Sequence, residues 1–475
     1  MQEYLLLLIM SIPVIGAFFA LTAQEDKNLS SENVYNISIW TMIVNVVLIL
    51  YTFSYLDLEK TGLQLIEKYN WLKYPPTELF VGVDIFSMLL ILSINFSFLI
   101  AQFYLRRDTK QAKTLIVSTL LFVSLINGYL IAADIISFYI FFASISIPMI
   151  ILISTYGSIR KKNILIRFSL YSFIGSLLLF IAIVLIYSYK SMNIPLNTVS
   201  NINLPNTLEY FVWFSIFFAF LSHMPIWPFH YWISSINSTL KHPLVFIVGN
   251  LIPLVGLYGF IKFWPNTVPD TIALYAPFFV AVCVITMLFM SLVSLSHKDF
   301  RYKLYAYMTI YYLLYLIGVF LPTSVLKINI AYSLFSFFVI ITVLSFLISY
   351  IEKQKKNLSL YAGSGVLCYM PRASKCITLF VLACIGLPIT PLFWNNFIII
   401  SEIANYDIIL GTAVMISLFF IAVSLLEELY RMKDKSYATV ICKENIDLSN
   451  KDFYTCVICL IILFFSFVKP WWFVF

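Results

Sequence analysis

The sequence of 475 residues is poor in charge. Only 11% of the residues are charged, whereas 61% are hydrophobic and 18% are aromatic. Because soluble domains carry about 25% charged residues, this composition excludes a soluble globule. The mean hydropathy of +0.93 instead indicates a polytopic membrane protein. The net charge of +7 comes from short basic loops, so it bears on membrane topology and not on nucleic-acid binding.

The sequence also lacks the motifs of redox and nucleotide chemistry. Its seven cysteines follow no metal-binding spacing, and Cys456 and Cys459 lie one helical turn apart in an apolar run, as packing residues do. There is no cysteine set for an iron–sulfur cluster, no GxGxxG and no Walker motif. We therefore expect no redox centre, metal or cofactor in this chain.

No presequence is evident at the N-terminus. Met1-Gln2-Glu3 leads directly into an apolar segment, without the basic region of a signal peptide or an Arg- and Ser-rich presequence. We expect this segment to be a retained span. The 14 glycines against 44 phenylalanines and 31 tyrosines, with many Ile, Lys and Asn, are typical of an AT-rich gene, either organellar or bacterial.

Apolar segments long enough to cross a bilayer dominate the chain. They predict an all-α membrane protein with about fourteen spans and no sheet. The predicted spans are 4–21, 37–55, 80–104, 114–132, 134–154, 166–188, 208–236, 243–263, 271–295, 304–322, 328–350, 375–402, 408–429 and 454–472.

Basic residues follow the odd-numbered spans, which by the positive-inside rule places those loops in the matrix or cytoplasm and both termini on the opposite side. Residues 56–79, after the second span, carry three basic and four acidic residues. The later loops after even-numbered spans hold little charge beyond Lys190, Asp270, Lys327 and Asp407. The basic residues are Arg106, Arg107, Lys110, Lys113, Arg160, Lys161, Lys162, Lys298, Arg301, Lys303, Lys353, Lys355, Lys356, Arg372, Arg431, Lys433 and Lys435.

Two of the predicted spans are interrupted by prolines. The prolines are Pro225 and Pro228 in the seventh span and Pro388 and Pro391 in the twelfth. The seventh span also carries His223 and His230. Lipid tolerates such breaks only where the freed backbone groups and ionisable side chains face protein or water. The pattern favours a proton or ion path, although simple proline kinks with buried histidines would explain the same residues.

The two breaks also suggest internal repeats. Windows 114–236 and 271–402 each end in a broken helix. The first repeat is taken as spans 4–8, and because an odd-numbered repeat placed twice must invert, we predict two inverted five-helix repeats. The predicted division is 1–113 (spans 1–3), 114–240 (first repeat), 241–402 (second repeat region) and 403–475 (spans 13 and 14).

Four sequence blocks are similar to a known family. The blocks are residues 138–149 with their continuation to 178, residues 225–232 followed by Leu257-Tyr258-Gly259, residues 387–393 and residues 447–453. On these blocks the chain resembles subunit 4 of NADH:ubiquinone oxidoreductase (respiratory complex I), an antiporter-like membrane subunit. Sister subunits 2 and 5 and bacterial cation/proton antiporter subunits share the broken helices but fit the first block less well.

The resemblance implies a location in the mitochondrial inner membrane and a role in moving protons while a separate arm oxidises NADH and reduces ubiquinone. NADH, flavin, iron–sulfur clusters and quinone would then be bound by partner subunits. The implied partners are other membrane-arm subunits, accessory subunits and lipids.

The chain departs from this family where the family carries buried charges. A Glu of the fifth span, Lys residues of the seventh and eighth spans and a charged residue of the twelfth are replaced by Ala143, His223, Leu254 and Asn396. Losing one partner of a buried ion pair costs about 3–5 kcal/mol, but losing both is often neutral. We therefore predict a charge-depleted proton path that is weakened or rerouted.

The remaining candidates for such a path are ionisable residues near the breaks. They are His223, His230, Lys241, His242 and Glu402. By contrast, Asp84 is expected to cap the third span, Lys262 to extend to the surface, and Glu427, Glu428 and Arg431 to form an ionic cluster near a loop. Two alternatives stay open: a non-pumping structural spacer with the same fold, favoured by a dry, aromatic-filled interior, and a stand-alone cation/proton antiporter.

Overall fold

The computed structural model describes residues 4–23, 30–57, 59–60, 62–72, 77–104, 111–157, 161–189, 195–196, 205–230, 232–233, 242–267, 275–321, 326–357, 365–434 and 447–468. These residues are mostly helical. The helices are α1 (Leu5–Thr22), α2 (Ser30–Phe53), α3 (Ile85–Tyr104), α4 (Ala112–Ile131), α5 (Ile135–Ser144), α6 (Ser146–Tyr156), α7 (Lys161–Tyr189), α8 (Asn206–Leu221), α9 (Pro243–Thr267), α10 (Ala276–Ser296), α11 (Phe300–Phe320), α12 (Leu326–Asn357), α13 (Pro371–Ile385), α14 (Pro391–Tyr406), α15 (Ile408–Lys433) and α16 (Asn450–Val468), with a 3₁₀ turn at Val366–Tyr369.

The membrane prediction is confirmed at the level of fold class. Eleven helical segments are long and apolar enough to cross a bilayer. The interruptions of the seventh and twelfth spans are present: α8 ends at Leu221, and residues 386–390 separate α13 from α14. The fifth span also has a break, at Ile145 between α5 and α6. The count of fourteen spans, the inverted repeats and the four-part division stay predictions.

The expectation that no sheet forms was wrong. Strands β1 (Gln64–Leu72) and β2 (Thr77–Val83) form an antiparallel hairpin in which Glu67 lies opposite Val81. Consequently α3 begins at Ile85, although the third span was predicted from residue 80. In β2, Val81 and Val83 are buried and Leu79 packs against the core, at the two-residue spacing of a strand. The prediction missed this strand because a short apolar run next to a helix can be read as part of that helix.

The hairpin supplies a cap for the first helix. The Glu67 carboxylate accepts a hydrogen bond of 3.0 Å from the Leu6 backbone N–H and one of 2.9 Å from the Tyr69 hydroxyl. A carboxylate is stabilising at the N-terminus of a helix because the first N–H groups have no partner within the helix. Burial nevertheless raises the pKa of Glu67. The hairpin thus fixes the start of α1.

Helices α9 and α11 form the centre of the bundle, since an 18-residue window in each of the stretches Pro243–Phe263 and Phe300–Phe320 is entirely buried. Small residues allow α9 to approach α8: a Cβ at Gly259 would lie 2.5 Å from the Phe220 ring. Glycine at this position therefore lets the two helices pack at close range, as small residues do in membrane proteins.

Asparagines tie the first four helices together. The Asn45 amide donates to Asn95 Oδ1 at 2.8 Å, and the Asn95 amide donates to Asn127 Oδ1 at 2.8 Å. The Asn127 amide in turn donates to the Ile9 carbonyl at 3.4 Å. Such a chain satisfies buried amides across α1–α4, where an unpaired amide would be costly.

Candidate functional site

The central helix α11 binds the backbone at both interruptions. The Tyr305 hydroxyl donates to the carbonyl of His230 at 3.2 Å, and the Tyr311 hydroxyl donates to the carbonyl of Cys384 at 3.1 Å. His230 lies in the broken seventh span, and Cys384 lies in the last turn of α13. Carbonyls at helix ends have no partner within the helix, so these two tyrosines satisfy backbone groups that the breaks leave free.

We expect the loss of either hydroxyl to destabilise the bundle. Tyr305→Phe and Tyr311→Phe should each cost about 1–3 kcal/mol, because each leaves a buried carbonyl unpaired. Tyr315→Phe is the matched control, since the buried Tyr315 hydroxyl on the same helix has no partner among the described residues. Thermal unfolding of the solubilised protein measures the difference. Equal midpoints for all three variants would contradict the assigned role.

The first histidine of the broken span, His223, is 3% exposed. Its Nδ1 lies 3.0 Å from the Ser222 hydroxyl, which also donates to the Ala219 carbonyl at 2.7 Å. The Trp232 indole N–H donates to the Ser222 carbonyl at 3.2 Å. These contacts hold the imidazole on the inner side of the break.

Aromatic rings fill the space around His223. The Phe142 ring lies 4.6 Å from the imidazole and 5.9 Å from the Phe220 ring. Phe142 directly precedes the half-buried Ala143, the position at which the resemblance implies a glutamate. Leu254, where a lysine is implied, is fully buried. Packed apolar side chains therefore surround the positions of the missing ion pair.

The other basic candidates of the first half lie on the far side of the break. His230 is half-buried, its Nδ1 has no partner among the described residues, and its ring lies 6.3 Å from Phe289. His242 precedes α9 and packs 5.2 Å from the Tyr156 ring. Burial and the nearby Arg301 charge lower the pKa of His242 to about 4, so it is neutral at pH 7. Lys241 lies outside the described residues.

Backbone turns close the break in the twelfth span. Gly386 ends α13 with φ +94°, a left-handed conformation that favours glycine. The Thr390 hydroxyl donates to the Leu387 carbonyl at 2.7 Å, and the Trp394 indole donates to the carbonyl of Pro388 at 2.7 Å. Pro391 opens α14 in its first turn, where its missing N–H costs nothing. This break is thus largely satisfied within its own segment.

Uncharged polar groups lie beside this second break. Asn396 is buried, and its Oδ1 has no hydrogen-bond partner in the part of the chain that the structure describes. The buried hydroxyl of Tyr307 is likewise unpaired there, and both residues line one cavity together with Tyr311. Glu402 follows Asn396 on α14 but is half-buried and does not line that cavity.

Sequence reasoning missed the tyrosines of α11 as a group. The helix places five of them in its buried middle, and every one is at most 5% exposed. The spacing itself carries a signal, because residues four apart share a helix face. These residues are Tyr305, Tyr307, Tyr311, Tyr312 and Tyr315.

A buried ionic cluster lies at the basic-loop end of α11. Lys303 was predicted to be a loop residue, but it lies inside the helix and its side chain is 1% exposed. Its Nζ donates to the Ser424 carbonyl at 3.0 Å and lies 3.4 Å from Glu427 and 3.6 Å from Glu428. Glu428 also pairs with Arg431, which confirms the cluster expected there. The sequence did not predict that Lys303 belongs to this cluster, because its basic and polar neighbours in the chain are typical of a loop.

A second ion pair lies at the opposite end of the bundle. The Asp84 carboxylate accepts from the Ser87 backbone N–H at 2.8 Å, which confirms the predicted cap of α3. It also pairs with Lys262 Nζ at 2.8 Å. The prediction that Lys262 extends to the surface was therefore wrong, because its ammonium pairs with the carboxylate of Asp84, the residue that precedes α3.

We expect this pair to stabilise the protein at neutral pH. Burial alone would raise the pKa of Asp84, but the Lys262 ammonium and the Ser87 hydrogen bonds outweigh burial and lower it. The contribution is thus present at pH 7 and is lost only as the pH falls below the ordinary value of 3.8. Lys262→Met should cost about 1–3 kcal/mol in thermal unfolding at pH 7. Asp57→Asn, in the exposed Asp57–Lys60 pair, should cost at most about 0.5 kcal/mol, and an equal loss would refute the assignment.

The described residues contain no group of three or more His, Cys, Asp or Glu side chains placed to hold a metal ion. The cysteines of α16 pack in the interior instead. Cys456 Sγ accepts a hydrogen bond of 3.0 Å from the Tyr104 hydroxyl, and Cys459 is buried one turn later.

The fold and the site define a class: a multi-pass helical membrane protein with two interrupted spans held by one buried helix. A family model described as NADH:quinone oxidoreductase/Mrp antiporter, TM, matches residues 132–422. The chain therefore belongs to the NADH:quinone oxidoreductase/Mrp antiporter family.

Individual relatives agree with this assignment. The chain is 26% identical to NADH-quinone oxidoreductase subunit M of Rickettsia typhi over 86% of both chains. It is 23% identical to NADH-ubiquinone oxidoreductase chain 4 of Marchantia polymorpha, over 86% of this chain and 84% of the relative. A chain of respiratory complex I from Thermus thermophilus superposes with a TM-score of 0.84 at 19% identity, covering 98% of this chain and 96% of that one. That structural likeness shows the fold.

Proposed function

We propose that the chain is a membrane-arm subunit of respiratory complex I in the mitochondrial inner membrane. It takes part in proton translocation coupled to NADH oxidation and ubiquinone reduction. The redox cofactors belong to partner subunits, and the partners are neighbouring membrane-arm subunits, accessory subunits and lipids. The similarity to complex I subunits along almost the whole chain supports this proposal.

One observation carries the functional part of the proposal. Both interrupted spans are bonded to the same fully buried helix, through Tyr305 and Tyr311. Broken helices at membrane depth occur where backbone must meet a transported species or a protein partner. The path proposed here is charge-depleted, because Ala143, His223, Leu254 and Asn396 replace the charges that the family resemblance implies. Protons would pass by neutral imidazole, hydroxyl and amide groups.

The number of protons moved per NADH by the intact complex in sealed vesicles tests this path. We expect a value below that of complexes whose corresponding subunit keeps its Glu–Lys pair. A full value would refute the charge-depleted path. His223→Phe should lower the number further, whereas His297→Phe, which changes a histidine outside the interruptions that stacks on Tyr302, should leave it unchanged.

A non-pumping spacer is the second candidate. The rings packed around His223 favour it, because an apolar, close-packed interior offers no chain of polar groups for a proton. In that case His223→Phe would leave the proton number unchanged while removal of the whole chain would disrupt assembly.

A stand-alone antiporter is the third candidate, since the family includes antiporters by its description. Purification from native membranes separates it from the first two. We expect the chain to migrate with NADH dehydrogenase activity on a native gel. Isolation as a free protein that exchanges cations for protons in liposomes would overturn membership of complex I.

A further inference from the structure

A cavity opens beside the break in the twelfth span. It has a volume of about 320 Å³ and lies between α11, α13, α14 and α15. Its walls are mostly apolar, and among the described residues no Asp, Glu, Lys, Arg or His lines it. The lining therefore excludes a charged ligand, because an ion would be desolvated here without a countercharge.

The inner end of the cavity carries two polar groups without partners. The Tyr307 hydroxyl and Asn396 Oδ1 are buried and make no hydrogen bond of good geometry among the described residues, in side chains that are 1% and 6% exposed. Cys384 and Tyr311 are the polar side chains beside Tyr307. Buried polar groups are nearly always hydrogen-bonded, so each such atom points to an unseen partner. Tyr307 can donate, whereas Asn396 Oδ1 can only accept.

The outer end of the cavity faces the membrane. Phe397 and Met415 line it and are 56% and 59% exposed on the outside of the bundle. On a membrane protein this apolar surface is in contact with the hydrocarbon of the bilayer. A molecule dissolved in the bilayer can therefore enter between α14 and α15 without crossing a polar surface.

We propose that the cavity binds an uncharged bilayer amphiphile with a hydroxyl head group. A hydroxyl accepts from Tyr307 and donates to Asn396 Oδ1, so one group satisfies both buried atoms. Its hydrocarbon tail lies along the apolar walls and leaves the cavity between Phe397 and Met415. A single ordered water would meet the same two atoms, but it would leave the apolar remainder of the cavity unfilled, and equal labelling by an alcohol and an alkane probe would identify it. The proposal is independent of whether protons pass through the chain.

Photolabelling of native membranes tests the proposal. One probe is a long-chain alcohol with a diazirine on its chain, and the other is the alkane of the same length with the same diazirine. We expect the alcohol to label residues 391–433 about 3- to 10-fold more than the alkane does, the factor that one net hydrogen bond provides.

Two variants locate the head group. Tyr307→Phe and Asn396→Leu should each bring the alcohol-to-alkane ratio close to one. Tyr315→Phe is the matched control, because that hydroxyl is also buried and unpaired on α11 but does not line the cavity; it should leave the ratio unchanged. Equal labelling by both probes in the unaltered protein would overturn the proposal, and so would no labelling by either, which would mean that a neighbouring subunit covers the cavity.

Discussion

Glu428→Gln should be among the most destabilising single changes in this chain. Glu428 is 2% exposed and lies against Lys303, whose side chain is 1% exposed. Removing the carboxylate leaves the buried Lys303 ammonium with only the exposed Glu427 as counterion and takes away the carboxylate partner of Arg431. Breaking a buried ion pair in this way costs about 3–5 kcal/mol. The expected result is strong loss of the chain from membranes and a large fall in its thermal unfolding midpoint after solubilisation.

The neighbouring residue provides the control. Glu427 makes a contact of almost the same length with Lys303, 3.4 Å against 3.6 Å, but its side chain is 55% exposed. Glu427→Gln should therefore cost at most about 1 kcal/mol, as exposed pairs do. Similar losses for the two variants would show that distance, and not burial, determines the energy of the cluster.

Rescue by a second substitution sharpens the test. Lys303→Met in the Glu428→Gln background removes the stranded ammonium; Glu427 stays exposed, and the part-buried Arg431 keeps its bond to the Lys298 carbonyl. We expect this double variant to be more stable than Glu428→Gln alone, because the loss of both buried partners is often close to neutral. A double variant that is less stable than the single one would mean that Lys303 acts through its bond to Ser424, not through the carboxylates.

The fold class and the two breaks could be predicted from sequence because each has a local cause. About 20 apolar residues cross a bilayer, and each break holds two prolines three residues apart, which remove helix hydrogen bonds; a single proline such as Pro13 lies inside an unbroken helix. The hairpin could not be placed in the same way. Its second strand, Thr77–Val83, is apolar and continues directly into α3, so only the pairing with Gln64–Leu72 distinguishes strand from helix.

The sequence could not predict which residues each buried polar side chain contacts. Lys262 and Asp84 are far apart in the chain, and the position of Lys262 near a span end is compatible with both a surface and an ion pair. The hydrogen bonds of Tyr305 and Tyr311 could not be predicted either, because a tyrosine in an apolar segment usually serves only as a packed side chain. Their role depends on the carbonyls of His230 and Cys384. These carbonyls lack a partner within a helix only because the helix is interrupted there.

Among the described residues no ion pair lies at His223, and the effect of such a pair on stability and proton number can be measured by building one. Ala143→Glu alone should strand a carboxylate beside the ring of Phe142, and His223→Lys alone should strand an ammonium at a position that is 3% exposed. Each single change should cost about 3–5 kcal/mol. Together the two charges can pair, and we expect the double variant to recover about 1–3 kcal/mol of the summed loss, the coupling energy typical of neighbouring residues.

The matched control for this pair has the same shapes without the charges, namely Ala143→Gln with His223→Met. Neither of these residues is ionised, so their combined loss should be close to the sum of the single losses. If the charged pair recovers stability and also raises the number of protons moved per NADH, the fold can still conduct protons when it carries the ion pair. If it recovers stability with no change in proton number, the aromatic packing around Phe142 and Phe220 blocks the path by itself. The chain would then act in the membrane as a spacer, because its interior excludes the polar groups that a proton needs.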